Sequence, residues 1–221
     1  MRAVTFVLAL ACACVSQAAE FQKVLFLGNS ITLHGPSKKV DWSGNWGMAA
    51  SAQEKDFVHL VTKALAKKDG TLPDSLIKNI ATFERQYAAY DEAALLKEVV
   101  PFQADLIVVA IGENVPALAT DAAKTQFKGA LVKLLTGIKG NGKPTIIVRS
   151  CFWANAAKDE MLKQACAEVG GLFVDIGSLG KDEKNFARSE RSFKHAGVAN
   201  HPGDRGMQAI ADAIIGVVKE K

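Results

Sequence analysis

Short runs rich in Val, Ile and Leu recur along the chain at residues 23 to 27, 75 to 80, 104 to 111, 144 to 150 and 171 to 176. Continuous apolar runs of this length predict strands buried on both faces. Stretches of helical period separate them: EKDFVHLVTKALAKK from Glu54, YDEAALLKEVV from Tyr90, TDAAKTQFKGALVKLLTGI from Thr120 and AAKDEMLKQACAEVG from Ala156. A final stretch from Pro202 sets Met207, Ile210, Ala211, Ile214, Ile215 and Val218 on one stripe, which reads as a core-facing helix. This alternation of strand and helix predicts an α/β fold, a three-layer α/β/α sandwich with a five-stranded parallel sheet, doubly wound. Sites in such sheets form at the carboxyl ends of the strands.

At 221 residues, 49% of them hydrophobic, the chain suffices for one domain with a substantial core. Residues 1 to 19, MRAVTFVLALACACVSQAA, carry one charge at Arg2, an apolar run and small residues near Ser16, Ala18 and Ala19. That pattern predicts a signal peptide, leaving residues 20 to 221 as one exported domain, periplasmic or extracellular. The apolar run falls short of the roughly 20 residues that span a bilayer, so no stable membrane insertion is expected. A lipid anchor on Cys12 or Cys14 is the lesser alternative, because neither follows a Leu-small-small pattern. The formal charge is +4, and cleavage would lower it to about +3, a mild basicity that selects no partner. Lys63, Lys67, Lys68, Lys124, Lys128 and Lys133 lie on solvated helix faces, which argues against nucleic acid.

Cys151 ends the fourth strand pattern, and Cys166 lies about ten residues into the following helix, roughly 15 Å from its start. A disulfide needs Cα atoms within about 7 Å, so both are expected to be small core residues. His34, His59, His195 and His201 are scattered with no metal-ligand spacing, so neither a metal nor a cofactor is expected.

Three strand ends carry candidate chemistry. VLFLGNSITLHG, residues 24 to 35, places Ser30 in the turn after the first strand, where a short helical start would expose N–H groups to a developing oxyanion. ADLIVVAIGENV, residues 104 to 115, places Asn114 after the third strand, and a side-chain amide is a usual oxyanion donor. GVANHPGDRG places His201 directly before Pro202, whose fixed φ would hold it at the same edge. Each alone reads equally well as a turn, cap or surface residue, but the three converge on one site. The long stretch from 34 to 53 hangs beside Ser30, so Trp42 and Trp46 are either a substrate platform or a cap on the core. Trp153, after the fourth strand, could take either role.

This constellation resembles the SGNH hydrolase superfamily, the GDSL-type esterases and lipases, across the chain from Lys23 to the last helix. GNS at 28 to 30 stands for the family's GDS block, GEN at 112 to 114 for G-x-N, and HPGDRG at 201 to 206 for the histidine block. The resemblance implies the SGNH/flavodoxin-like fold and an ester hydrolase. Ser30 would be the nucleophile, His201 the general base, and Asn114 with the Ser30 N–H the oxyanion donors. Two positions depart from the family. The aspartate expected three residues before the histidine is Val198, which points to a Ser-His dyad, helped or not by a backbone carbonyl. Asp204 is better explained as a helix-start residue than as a triad member, and His195 as a surface residue. The glycine block after the second strand is replaced by NIATFER, where the Glu84 backbone is the expected further oxyanion donor. Glu84 or Arg85 could instead touch substrate or supply a carboxylate, and Gly47 is a rival donor. The favoured function is a secreted serine esterase removing acetyl or another short acyl group, with a small-molecule or glycan ester as substrate. The alternatives are a catalytically silent carbohydrate-binding protein on the same fold and, less favoured, a phosphate binder.

Overall fold

The computed structural model of the protein describes residues 20–219; the expected leader, with Cys12 and Cys14, lies outside the described residues. Five strands form the sheet: β1 (Lys23–Gly28), β2 (Asp74–Asn79), β3 (Leu106–Ala110), β4 (Thr145–Arg149) and β5 (Leu172–Val174). All are parallel, in the order β2-β1-β3-β4-β5. The alternation along each strand sorts the core into two halves. Val24, Phe26, Leu106 and Val108 pack against α1 (Phe57–Ala64) and α7 (Asp204–Lys219). Leu25, Leu27, Ile107 and Val109 face α2 (Ala81–Gln86), α3 (Ala93–Val99), α4 (Asp121–Lys139) and α5 (Ala156–Glu168). The three-layer α/β/α sandwich expected from the sequence is therefore present.

Helix starts are set by caps that hydrophobic periodicity does not reveal. Side chains of Asp56, Thr120 and Asn155 accept from backbone N–H groups in the first turns of α1, α4 and α5. The helix expected from Glu54 thus starts at Phe57, after a turn of 3₁₀ helix. The last helix starts at Asp204 rather than Pro202, because the Glu190 carboxylate accepts from the N–H groups of Asp204 and Arg205, each at 2.8 Å. Two helices were not expected from periodicity, α2 and the four-residue α6 (Ala196–Ala199), both too short to show it. Cys151 and Cys166 are free and buried, as expected, and burial pushes the Cys166 thiol up to about 11.

Register places the site. Gly28 stands opposite Asn79 on one side and Ala110 on the other. The carboxyl ends of β1, β2 and β3 are therefore level, and the segments leaving them, Asn29–Ser30, Ile80–Ala81 and Ile111–Asn114, emerge side by side.

Candidate active site

Ser30 sits in a single helical turn, closed by the Thr32 and Leu33 N–H groups donating to Asn29 O, rather than at the start of a helix. Its carbonyl accepts from the Met48 N–H at 2.8 Å, and its own N–H has no partner among the described residues. His201 is fixed from both sides, donating its N–H to Val198 O and accepting at its carbonyl from the Ala187 N–H. The two side chains meet: Ser30 Oγ lies 2.8 Å from His201 Nε2.

The other imidazole nitrogen, Nδ1, is 2.7 Å from the Gly197 carbonyl. A carbonyl can only accept, so Nδ1 carries the proton and Nε2 presents its lone pair to the Ser30 hydroxyl. Burial lowers the His201 pKa below the ordinary 6.5, outweighing the opposite pulls of the Gly197 carbonyl and the Glu113 carboxylate. Among the described residues no carboxylate is hydrogen-bonded to the ring. Val198, where the family pattern has aspartate, is buried with Met48, Ala49 and Ala187. Both Asp204 oxygens are taken up by Ser51 and Lys55. His195 caps α6, its Nδ1 accepting from the Gly197 N–H.

Asn114 shares a cleft of about 560 Å³ with Ser30, His201, Trp153, Arg188 and Asn200. Its turn depends on Gly112, which has φ +127° and whose missing Cβ would come within 2.5 Å of the Cys151 sulfur. A second cleft of about 340 Å³ lies on the other side of the Ser30–His201 pair, walled by His34, Ala81, Arg85 and His195. The pair thus divides two recesses, an arrangement able to hold the two halves of a cleavable bond.

Beneath the site lies a charged network that the sequence did not announce. The Arg149 and Glu113 side chains, 0% and 3% exposed, pair at 2.6 Å. Glu113 also accepts from the Phe152 N–H and from Asn29 Nδ2. Asn29 Nδ2 donates as well to Glu84, a fully buried carboxylate. Glu84 further accepts from the N–H groups of Gly112 and Asn114 and from Asn114 Nδ2. The guanidinium pairs with only one of the two buried acids, and the two pKa directions follow from that. Burial works to raise Glu113, but Arg149 brings it below the ordinary range, whereas burial and the Glu113 charge raise Glu84.

Three expectations need correction. The Glu84 N–H points back to Ile80 O within its helix, so Glu84 offers its side chain and not a backbone oxyanion donor. The Gly47 N–H is likewise taken, by Asp56. Trp42 and Trp46 do not line the clefts: they pack edge to face, and their indole N–H groups donate to His34 O and Ala50 O. They brace the loop over the core. Trp153 does reach the cleft, 36% exposed and edge-on to His201 at 5.5 Å. Arg188 and Asn200, joined by a hydrogen bond, form part of the same wall and were not foreseen.

No family profile and no curated protein matches the chain. Solved structures do. A protein described as a GDSL-like lipase from Bacteroides uniformis aligns at 15% identity over 90% of this chain and 96% of its own, with TM-score 0.57. A family two carbohydrate esterase from Cellvibrio japonicus aligns at 15% identity over 90% of this chain and 61% of that one, TM-score 0.56. An acetyl xylan esterase from Butyrivibrio proteoclasticus gives 15% identity, 90% and 63% coverage, and TM-score 0.53. At such identities the likeness is one of fold, and the chain has the SGNH-type fold that its strand-end motifs led us to expect.

Proposed function

We propose that this protein is an SGNH-type carboxylic ester hydrolase working through a Ser30–His201 dyad. The observation that carries the reading is the oriented imidazole between Ser30 Oγ and the Gly197 carbonyl. His201 Nε2 takes the hydroxyl proton as Ser30 Oγ attacks the ester carbonyl. The Ser30 N–H and Asn114 Nδ2 receive the oxyanion. Collapse expels the alcohol with the proton from Nε2, and water then repeats the sequence on the acyl-enzyme. We place the substrate among short acyl, chiefly acetyl, esters of carbohydrates. The half-exposed Trp153 ring offers a sugar an apolar face, and two of the structural neighbours are described as carbohydrate esterases. The leader sequence at residues 1 to 19 supports an exported enzyme.

A serine-directed phosphonate should label the mature protein at Ser30, and acetylated polysaccharides should be hydrolysed faster than aryl esters of longer acyl chains. Labelling at another residue would overturn the assignment. A folded sample that neither labels nor turns over any ester would favour the carbohydrate-binding alternative.

The lowered His201 pKa gives the pH dependence a sign. The base works when neutral, so kcat/KM should fall with acid only below the ordinary histidine value of 6.5. A pH–rate profile with its acid midpoint at or above that value would contradict a buried base.

A further inference from the structure

We propose that Glu84 is a positioning residue that sets the rotation of the Asn114 amide and so decides which of its two ends meets the oxyanion. The proposal rests on the esterase reading above. Glu84 lies on α2, 0% exposed, and among the described residues it pairs with no cation, Arg149 being engaged by Glu113. A carboxylate buried beside a second carboxylate costs stability, and an apolar residue would fill the same place more cheaply.

What Glu84 gives in return is aimed at the site alone. Its Oε1 accepts from the N–H groups of Gly112 (2.6 Å) and Asn114 (3.2 Å) and from Asn29 Nδ2 (3.1 Å). Its Oε2 accepts from Asn114 Nδ2 at 2.7 Å. One carboxylate therefore ties together the turn that bears Asn114 and the residue preceding Ser30. All four partners are donors, so only a group that accepts at both oxygens satisfies them.

The Asn114 side chain has little else to hold it. Among the described residues its Oδ1 receives only Arg85, at 3.5 Å, from the rim of the cleft. Left free, the amide turns over and presents a carbonyl to the forming oxyanion, which repels it. With one Nδ2 hydrogen bound to Oε2, the second is left for the oxyanion and the unfavourable rotamer is excluded. Pre-set donors of this kind stabilise a transition state without reorganising. Glutamine at 84 cannot do this, because its amide N–H must face one of the four donors. The least crowded place is opposite Asn114 Nδ2, and that turns the Asn114 amide over.

The test is a double-mutant cycle on the mature protein with an aryl acetate as substrate. Asn114→Ala should lower kcat by about 10²-fold with a smaller effect on KM. Glu84→Gln should lower kcat about 10- to 10²-fold with KM little changed, and should cost less than about threefold once Asn114 is already alanine. Equal losses in the two backgrounds would show that Glu84 only supports the fold, leaving the esterase reading intact. No loss from Asn114→Ala would instead overturn the oxyanion role itself. Should Glu84→Gln fail to fold, the wild-type chain supplies the readout by NMR, its Asn114 side-chain amide assigned by loss of the signal in Asn114→Ala. One of the two protons is expected far downfield, bound to a carboxylate; both at ordinary solvent-exposed positions would overturn the proposal.

Discussion

His201→Ala is expected to lower kcat at least about a thousandfold while leaving the thermal unfolding temperature close to that of the parent chain. Ser30→Ala should cost as much, and the double variant little more, because the two side chains act as one unit in proton transfer. The informative contrast is Asp204→Asn. If Asp204 oriented the imidazole, its amide would favour the wrong tautomer and cost about 10⁴-fold. Its oxygens are instead hydrogen-bonded to Ser51 and Lys55. The expected result is a kcat within about threefold of the parent and a stability loss of roughly 1 kcal/mol, for the lost hydrogen bonds. Steady-state kinetics on the four variants decides the matter, and a loss above a thousandfold for Asp204→Asn would disprove the dyad.

Arg149→Met should be the most destabilising single substitution at this edge of the sheet. Arg149 is the cation paired with buried Glu113, and its side chain is 0% exposed. Removing one member of a buried pair strands the other charge, at a cost of about 3 to 5 kcal/mol. For a domain of this size that lowers the melting temperature by roughly 6 to 20 °C. Adding Glu113→Gln should recover part of the loss, since no unpaired charge then remains at position 113. Thermal melts of the single and double variants test this, and a single variant that melts with the parent would show that Glu113 had been neutralised by other means.

The sheet was legible because burial on both faces leaves continuous Val, Ile and Leu runs, and five of the seven described α-helices because they are long enough to show a period. Ser30, Asn114 and His201 were legible because each follows a strand end or precedes a helix start. Glu84 was misread for want of an aligned helix. Ile80, Phe83 and Tyr87 fall at i, i+3 and i+7 of a short apolar stripe, and Glu84 sits at i+4 within it. A glutamate on the apolar face of a helix is a buried glutamate, and that was the available signal. Asn29 in place of the family's aspartate is explained only by partners distant in sequence. With Glu84 and Glu113 both accepting from Asn29 Nδ2, a third carboxylate there would face two others. The tryptophan loop was ambiguous because the destination of an indole N–H leaves no mark on residue spacing.

The hydrogen bond from His201 Nδ1 to the Gly197 carbonyl has a consequence for heredity as well as for chemistry. A triad aspartate can be lost by one nucleotide change. The oxygen that orients this imidazole belongs to the peptide unit, and every residue encoded at position 197 carries it. An alanine scan of the acids would therefore find none that orients the imidazole, and a loss at Glu84 would run through Asn114 instead. Selection on the base must act instead on what fixes the path of the main chain: the His195 side chain that caps α6, and Val198 packed beneath it. Substitutions there would read as losses of activity at positions that donate nothing to the imidazole.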